Sequence, residues 1–127
     1  MKNIILAPVS IGELIDKITI LEIKKENVTG KALANVENEL YSLKEIFANA
    51  KVAIDHKQVA KLRHVNQTLW RIEDKIREHE KRKDFGENFV SLARSVYKQN
   101  DQRAAIKRLI NIECDSGLIE EKFYQAY

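Results

Sequence analysis

The chain has few of the residues that make tight turns or covalent links. Its 127 residues include one proline, four glycines and one cysteine. A β-rich protein needs more glycine and proline for its turns, so the composition favours helix. Cys114, as the only cysteine, excludes an internal disulfide. We interpret it as a half-buried thiol in a reducing compartment rather than as a reactive nucleophile.

Long apolar runs are also missing at the start of the chain. Residues 1–6 hold one lysine and the short run Ile4-Ile5-Leu6, which is too short for the core of a signal peptide or a membrane span. We therefore expect a cytoplasmic protein with no membrane partner. A chain of this length can bury one core without metal or disulfides, so we predict a single domain over residues 1–127.

The positive charge is concentrated in two segments of the chain. Residues 57–83 hold nine Lys or Arg against four Asp or Glu, and residues 94–110 hold five against one. Both segments are amphipathic, and basic residues on the wet face of a helix are usually a solvated surface. This interpretation disfavours nucleic-acid binding.

Two stretches of the chain carry a heptad repeat. In residues 33–54 and again in residues 62–79, mainly apolar residues recur at alternating spacings of three and four. This pattern is typical of helices that bury one stripe along a partner helix. We therefore predict an all-α fold, in which the second and third helices form a long antiparallel helical hairpin and additional helices pack alongside it.

The segments before this hairpin are a short extended N-terminal segment, Lys2 to Ala7, and a first helix. Ser10-Ile11-Gly12-Glu13 has the pattern of a capping box, which predicts a helix from Ile11 to about Asn27. Apolar residues lie on more than one face of this helix, so we expect it to be covered on two sides. Together with the two heptad repeats, this is more apolar surface than one chain can cover, which predicts a homodimer.

The segment after the hairpin is predicted to hold two shorter helices. Phe85, Phe89 and Val96 have helical spacing, and the polar run from Tyr97 to Asp101 is interpreted as a turn. Asn100 or Asp101 would then cap a fifth helix that ends near Glu113. The aromatic residues of the tail, residues 118–127, predict that it is docked on the domain.

No metal site or cofactor is expected from the motifs. His56, His64 and His79 have no second ligand at metal spacing. The strongest polar cluster surrounds the predicted turn, where helix amides and arginines would hold a phosphate or carboxylate. One alternative is that the polar residues cap the helix and the cations are solvated. Another is that Arg94 and Arg103 pair with Asp16, Asp101 or the tail carboxylates Glu120 and Glu121 and form a structural clamp. The cluster consists of Arg94, Tyr97, Lys98, Asn100, Asp101, Arg103, Lys107 and Arg108.

The chain resembles an uncharacterised family of short bacterial proteins that also occurs in marine cyanobacteria and their phages. The resemblance rests on the segments Val9 to Lys24, Leu69 to Asp74, Phe85-Gly86, Ala93 to Tyr97, Asn100-Asp101, Arg103 to Lys107 and Glu120 to Lys122 with Tyr124 and Tyr127. No activity is implied by it. It does imply a shared polar site, and with Lys107 from the polar cluster the predicted ligand-binding residues are Asp16, Lys17, Arg94, Tyr97, Asn100, Asp101, Arg103 and Lys107.

Two classes of function remain open at this point. The heptad repeats favour a non-enzymatic helical binding or assembly module, because no nucleophile with an activating base forms a local motif. The polar cluster favours the alternative, a small enzyme or a ligand-binding protein for an anionic metabolite. Whether the protein is an enzyme is left open by the sequence.

Overall fold

A computed structural model describes residues 2–127, and in this part of the chain the regular elements are four α-helices with no strand. This confirms the predicted all-α class. Residues 2–9 and the tail have no regular secondary structure. The helices are α1 (Ile11–Asn27), α2 (Gly30–Ala50), α3 (His56–Arg82) and α4 (Glu87–Glu113).

Helix α1 is the central element, because it packs against all three other helices. One side, with Leu14 and Ile18, packs against Leu40 of α2. On the neighbouring side Ile15 meets Leu62 of α3 and Ile110 of α4. The prediction that α1 is covered on two sides is confirmed, and helices of the same chain provide the cover.

The long antiparallel hairpin is present, but its arms are α3 and α4. These two helices share the most extensive interface, whereas α2 packs on α1 alone. The predicted pairing of the second helix with the third is therefore wrong. A heptad repeat shows that a helix needs a partner without identifying it. For α2, the partner is the apolar side of α1 that carries Leu14, Ile18 and Leu21.

Helix α4 is continuous across the predicted turn. Residues 97–101 are helical, so Asn100 and Asp101 do not cap a fifth helix, and their amides are used inside α4. The run contains no glycine or proline. The modest helix preference of Asn and Asp, a few tenths of a kcal/mol each, is overridden by the packing of the helix.

The start of α1 is closed by side chains from two other parts of the chain. Ser10 Oγ accepts a hydrogen bond from Glu13 N at 3.1 Å, which confirms the predicted cap. Asn111 Oδ1 accepts one from Gly12 N at 2.6 Å, and Ser116 Oγ accepts one from Ile11 N at 3.1 Å. These contacts satisfy the first amides of α1, which have no partner within their own helix.

Gly12 permits this close approach of α1 to α4. A Cβ atom at Gly12 would lie 2.5 Å from the carbonyl oxygen of Lys107 and 3.0 Å from Asn111 Oδ1. Gly12→Ala is therefore expected to push α1 away from α4 and to lower the free energy of unfolding by about 1–3 kcal/mol, as overpacking does. Urea denaturation followed by circular dichroism measures this loss.

Gly117→Ala is the matched control for this experiment. A Cβ atom there would have no heavy atom within 4 Å, so the same substitution is expected to leave stability within about 0.5 kcal/mol of the wild type. Equal stability of both variants would contradict the close approach of α1 to α4.

Candidate functional site

The carboxylate of Asp16 on α1 is fully buried, with 0% exposure. Asn66 Nδ2 of α3 donates a hydrogen bond to Asp16 Oδ1 at 2.9 Å. Arg103 Nε of α4 donates to the same oxygen at 3.0 Å, and Arg103 Nη2 donates to Asp16 Oδ2. Three helices thus meet at one carboxylate, and a side-on pair of hydrogen bonds fixes the guanidinium plane.

The contact with Asp16 stabilises the charged form of Arg103. The hydrogen bond to Asp16 raises the pKa of Arg103, and burial of the guanidinium acts in the opposite direction. Thr19 extends the network, since its Oγ1 accepts from Asn66 Nδ2 at 2.9 Å. A buried carboxylate needs this number of partners, because a buried charge without them destabilises a protein by several kcal/mol.

Lys107 of α4 lies between three carboxylates. Its Nζ is 2.6 Å from Glu13 Oε2, 3.8 Å from Asp16 Oδ2 and 3.6 Å from Glu120 Oε2. Glu13 lies one turn before Asp16 on α1, and Glu120 belongs to the tail. Lys107 therefore joins the Asp16 network to the tail.

The first half of the tail is attached by its two carboxylates. Ser10 Oγ donates a hydrogen bond to Glu120 Oε1 at 2.5 Å, and the other oxygen of Glu120 faces Lys107. Arg108 Nη1 donates to Glu121 Oε1 at 3.1 Å, although both of these side chains are largely exposed. An exposed ion pair stabilises a protein by at most about 1 kcal/mol, so Glu120 is the stronger of the two anchors.

The second half of the tail is attached at Asp101 of α4. Tyr127 Oη donates to Asp101 Oδ2 at 2.6 Å, and Lys122 Nζ lies 3.2 Å from Asp101 Oδ1. The hydrogen bond from Tyr127, followed by that from Lys122, lowers the pKa of Asp101, and the same bond to Asp101 raises the pKa of Tyr127. The Tyr127 ring also packs edge-on against Tyr97, with centroids 5.0 Å apart. These contacts support the predicted docking of the tail.

A groove of about 1330 Å³ lies between α4 and the tail. Four cations line it, and each of them has a carboxylate within 4.0 Å. The positive charges of the groove are therefore neutralised within the chain. The four cations are Arg103, Lys107, Arg108 and Lys122.

Six of the eight predicted site residues lie in the buried network or in the groove. Asp16, Arg103 and Lys107 meet in the network, and Tyr97, Asn100 and Asp101 line the groove. They do not form the predicted anion site, because that site was placed at the start of a fifth helix that does not exist.

Lys17 and Arg94 lie outside both places. Lys17 is exposed and faces α2, where its Nζ is 4.0 Å from Glu39 Oε2. Arg94 is also exposed, and its Nε donates to Tyr97 Oη at 3.5 Å. Among the described residues neither side chain reaches the network around Asp16. Lys17 follows Asp16 directly, and consecutive residues of a helix point to different sides.

Three members of the network, Glu13, Asn66 and Glu120, were not among the predicted ligand-binding residues. Glu13 had a usable signal, since it precedes Asp16 by three residues and must share its face of α1. Asn66 lies next to Val65 in the heptad repeat of α3, which is a weak sign of a buried amide. The partners of Glu120 lie too far away in the chain for any local signal.

Cys114 is half-buried, as predicted. Its Sγ donates to the carbonyl oxygen of Ala53 at 3.4 Å, and burial raises the pKa of the thiol above its ordinary value. The thiolate fraction at neutral pH is correspondingly small. In the described range 2–127 there is no group of His, Cys, Asp and Glu that could hold a metal ion. Within the same range, no helix has the length and apolar character needed to span a membrane.

The fold and the network define a small four-helix protein of the all-α class, with one buried carboxylate shared by three helices. The chain belongs to DUF6165, a family of unknown function, whose model matches residues 5–127. No curated protein and no solved structure matches the chain. Membership of an uncharacterised family is thereby confirmed, and its occurrence in marine cyanobacteria and phages stays a prediction.

A substitution of Asp16 tests whether the buried ion pair with Arg103 is needed for stability. Asp16→Asn keeps the size of the side chain but leaves the guanidinium of Arg103 without its counter-charge. Breaking a buried pair in this way is expected to lower the free energy of unfolding by about 3–5 kcal/mol. Chemical denaturation measures the loss.

The neighbouring Lys17→Gln serves as its control. Lys17 is exposed and has only a distant partner, so this substitution should change stability by less than about 0.5 kcal/mol. A small loss for Asp16→Asn, similar to that of the control, would show that Asp16 is not required for the packing of the three helices.

Proposed function

We propose that the protein is a non-enzymatic helical assembly module, which forms a homodimer through its terminal segments, residues 2–9 and the tail. The observation that carries this proposal is the exposed apolar surface of both segments. Ile5 is 91% exposed and Phe123 is 97% exposed. The two segments begin side by side, because Ser10 donates a hydrogen bond to Glu120.

The backbone of the N-terminal segment supports an association by strand pairing. Residues 2–9 have no regular secondary structure and form no backbone hydrogen bond with any described residue. Ile4, Ile5 and Leu6 are all strongly exposed. An apolar stretch with an unpaired backbone is a template for pairing with another chain. A lone strand is not stable in water, so such a segment gains order only against a partner.

A second copy of the chain is the partner that fits best. Contiguous exposed apolar patches are uncommon on monomeric proteins, and a two-fold axis would bring the same patch together from both copies.

The polar groups of the interior support a role without catalysis. Asp16 and Arg103 are used to bind each other, and Lys107 is surrounded by carboxylates. Their geometry is that of a network that holds helices and the tail in place. The free Cys114 thiol is consistent with a reducing compartment, so we place the protein in the cytoplasm.

Sedimentation velocity of the pure protein at tens of micromolar tests the dimer. The wild type is expected to sediment at twice the 14.7 kDa of one chain. Ile5→Asp places a charge in the apolar segment and should shift the protein to a single-chain species while the helix content stays unchanged. The charge would have to be desolvated at the interface, which is unfavourable by several kcal/mol.

Tyr41→Ser is the matched control, since Tyr41 is an exposed apolar residue on α2 and lies outside the terminal segments. This variant should remain a dimer. A wild-type protein that sediments only as a 14.7 kDa species would overturn the proposal, and so would a dimer that Ile5→Asp leaves intact.

A second candidate function, the binding of an anionic metabolite, is favoured by the groove between α4 and the tail. Glu120 and Glu121 already place carboxylates against Lys107 and Arg108. An external phosphate that displaces these two carboxylates would meet the same cations. The tail would then act as an internal competitor for the ligand.

Pyrophosphate titrations by calorimetry test this candidate. The double variant Glu120→Gln/Glu121→Gln removes the competing charges and should bind pyrophosphate about tenfold more tightly than the wild type. Arg108→Gln should bind it more weakly. Lys31→Gln, an exposed cation on α2, is the control and should change nothing. Equal affinities of all four proteins would exclude the groove as an anion site.

A further inference from the structure

We propose that a second cavity, between α1, α3 and α4, binds a zwitterionic amino acid with an apolar side chain. This cavity has a volume of about 460 Å³. It borders Arg103 and Asn100 on one side and α3 on the other, and it requires neither the dimer nor the groove. Its lining combines an apolar surface with hydrogen-bonding groups of both signs, as small-molecule sites do.

Arg103 provides the anion-binding end of the site. A guanidinium carries five N–H groups, and Asp16 accepts only one from Nε and one from Nη2. No other residue in the described range 2–127 accepts from Arg103. The outer edge of the guanidinium is therefore free to form a paired contact with a second carboxylate. Because Asp16 is buried and fixes the guanidinium plane, this edge is preorganised before a ligand arrives.

Asn66 provides an unsatisfied acceptor in the same cavity. It is only 6% exposed, and its Nδ2 donates to Asp16 and Thr19. A carboxylate only accepts hydrogen bonds, so the NH₂ group must face Asp16, and this fixes the orientation of the amide. Asn66 Oδ1 then accepts no hydrogen bond from the described residues. This oxygen is therefore available to accept a hydrogen bond from a ligand N–H.

The rim of the cavity adds two further acceptors for a cation. Glu73 and Asp74 border it, and among the described residues no Lys or Arg lies within ion-pair distance of either carboxylate. Arg77 also borders the cavity, so the two carboxylates exceed the cations of α3 at this rim by one charge, and this excess would attract an ammonium group near Asn66. The site therefore offers a donor edge at Arg103 for a carboxylate and acceptors on the α3 side for an ammonium.

The rest of the lining defines the ligand's side chain. Ile20 and Ile23 of α1 face Leu69 and Trp70 of α3 across the cavity. A branched or aromatic side chain would bury its surface between them, at about 25 cal/mol for each Å² removed from water. A molecule with a carboxylate, an ammonium and an apolar body is an amino acid of the leucine or phenylalanine type.

Trp70 reports on this site directly, because it is the only tryptophan of the chain. Titration with L-leucine and L-phenylalanine should change its fluorescence in a saturable way. Phenethylamine lacks the carboxylate, and 3-phenylpropanoate lacks the ammonium. Each is expected to bind about tenfold or more weakly than L-phenylalanine, because one charge-assisted contact is lost.

Glu73→Gln should weaken the binding of L-phenylalanine severalfold while leaving that of 3-phenylpropanoate unchanged. Glu78→Gln is the matched control, since Glu78 is exposed on the same helix and does not line the cavity. Glu73 takes no part in the Asp16 network, so this variant keeps the fold. Arg103→Lys is a second test, provided that circular dichroism shows a folded protein. This variant should no longer bind L-phenylalanine more tightly than phenethylamine, which lacks the carboxylate.

Three results would overturn the proposal. The first is no saturable change for either amino acid. The second is equal binding of 3-phenylpropanoate and L-phenylalanine, which would show a simple anion site. The third is equal binding of phenethylamine, which would show a simple cation site.

Discussion

The carboxylate of Asp16 is the constraint on which the rest of the structure depends. A charge with no exposure to water is tolerated only when hydrogen bonds and an opposite charge surround it. Asn66 and Arg103 meet this requirement from two different helices, so α1, α3 and α4 must reach one point. The apolar contacts of Ile15 with Leu62 and Ile110 pack these same three helices together. Polar and apolar contacts therefore specify the same arrangement.

The same constraint organises the surface of the protein. Arg103 and Lys107 are one turn apart on α4, and both are drawn toward α1 by its acids. Lys107 then brings Glu120 and with it the tail. The groove beneath the tail and the cavity beside Asn66 lie on either side of Arg103, which borders both. Arg103 was predicted from the sequence to bind a ligand, but it forms an ion pair with Asp16. Only the outer edge of its guanidinium is available to a ligand.

Local signals in the sequence predicted the helices well and their partners poorly. The Ser10 cap and the two-sided character of α1 depend on residues close in the chain, and the structure has both. A long hairpin is also present, but α4 and not α2 is the partner of α3. The predicted break at Asn100 and Asp101 failed because helix preference is weak compared with the packing along α4. The pairing of Asp16 with Arg103 spans 87 residues, and no periodicity of a single helix contains that information. Lys17 was included with Asp16 for its position in a shared motif, although the two residues point to different sides of α1.

The helix pairs can form in a definite order, because some of them are close together in the sequence and others are far apart. The arms of the α3–α4 hairpin are joined by a short connection, closed by hydrogen bonds from Lys83 N to Glu80 O and from Asp84 N to His79 O. The contacts of α1 with α4 close loops of 87 to 99 residues. Loop-closure entropy grows with length, so the hairpin can pair while α1 is still unattached. Asp16 loses its water only when all three helices are in place, which makes its burial a cooperative step that the whole domain completes together.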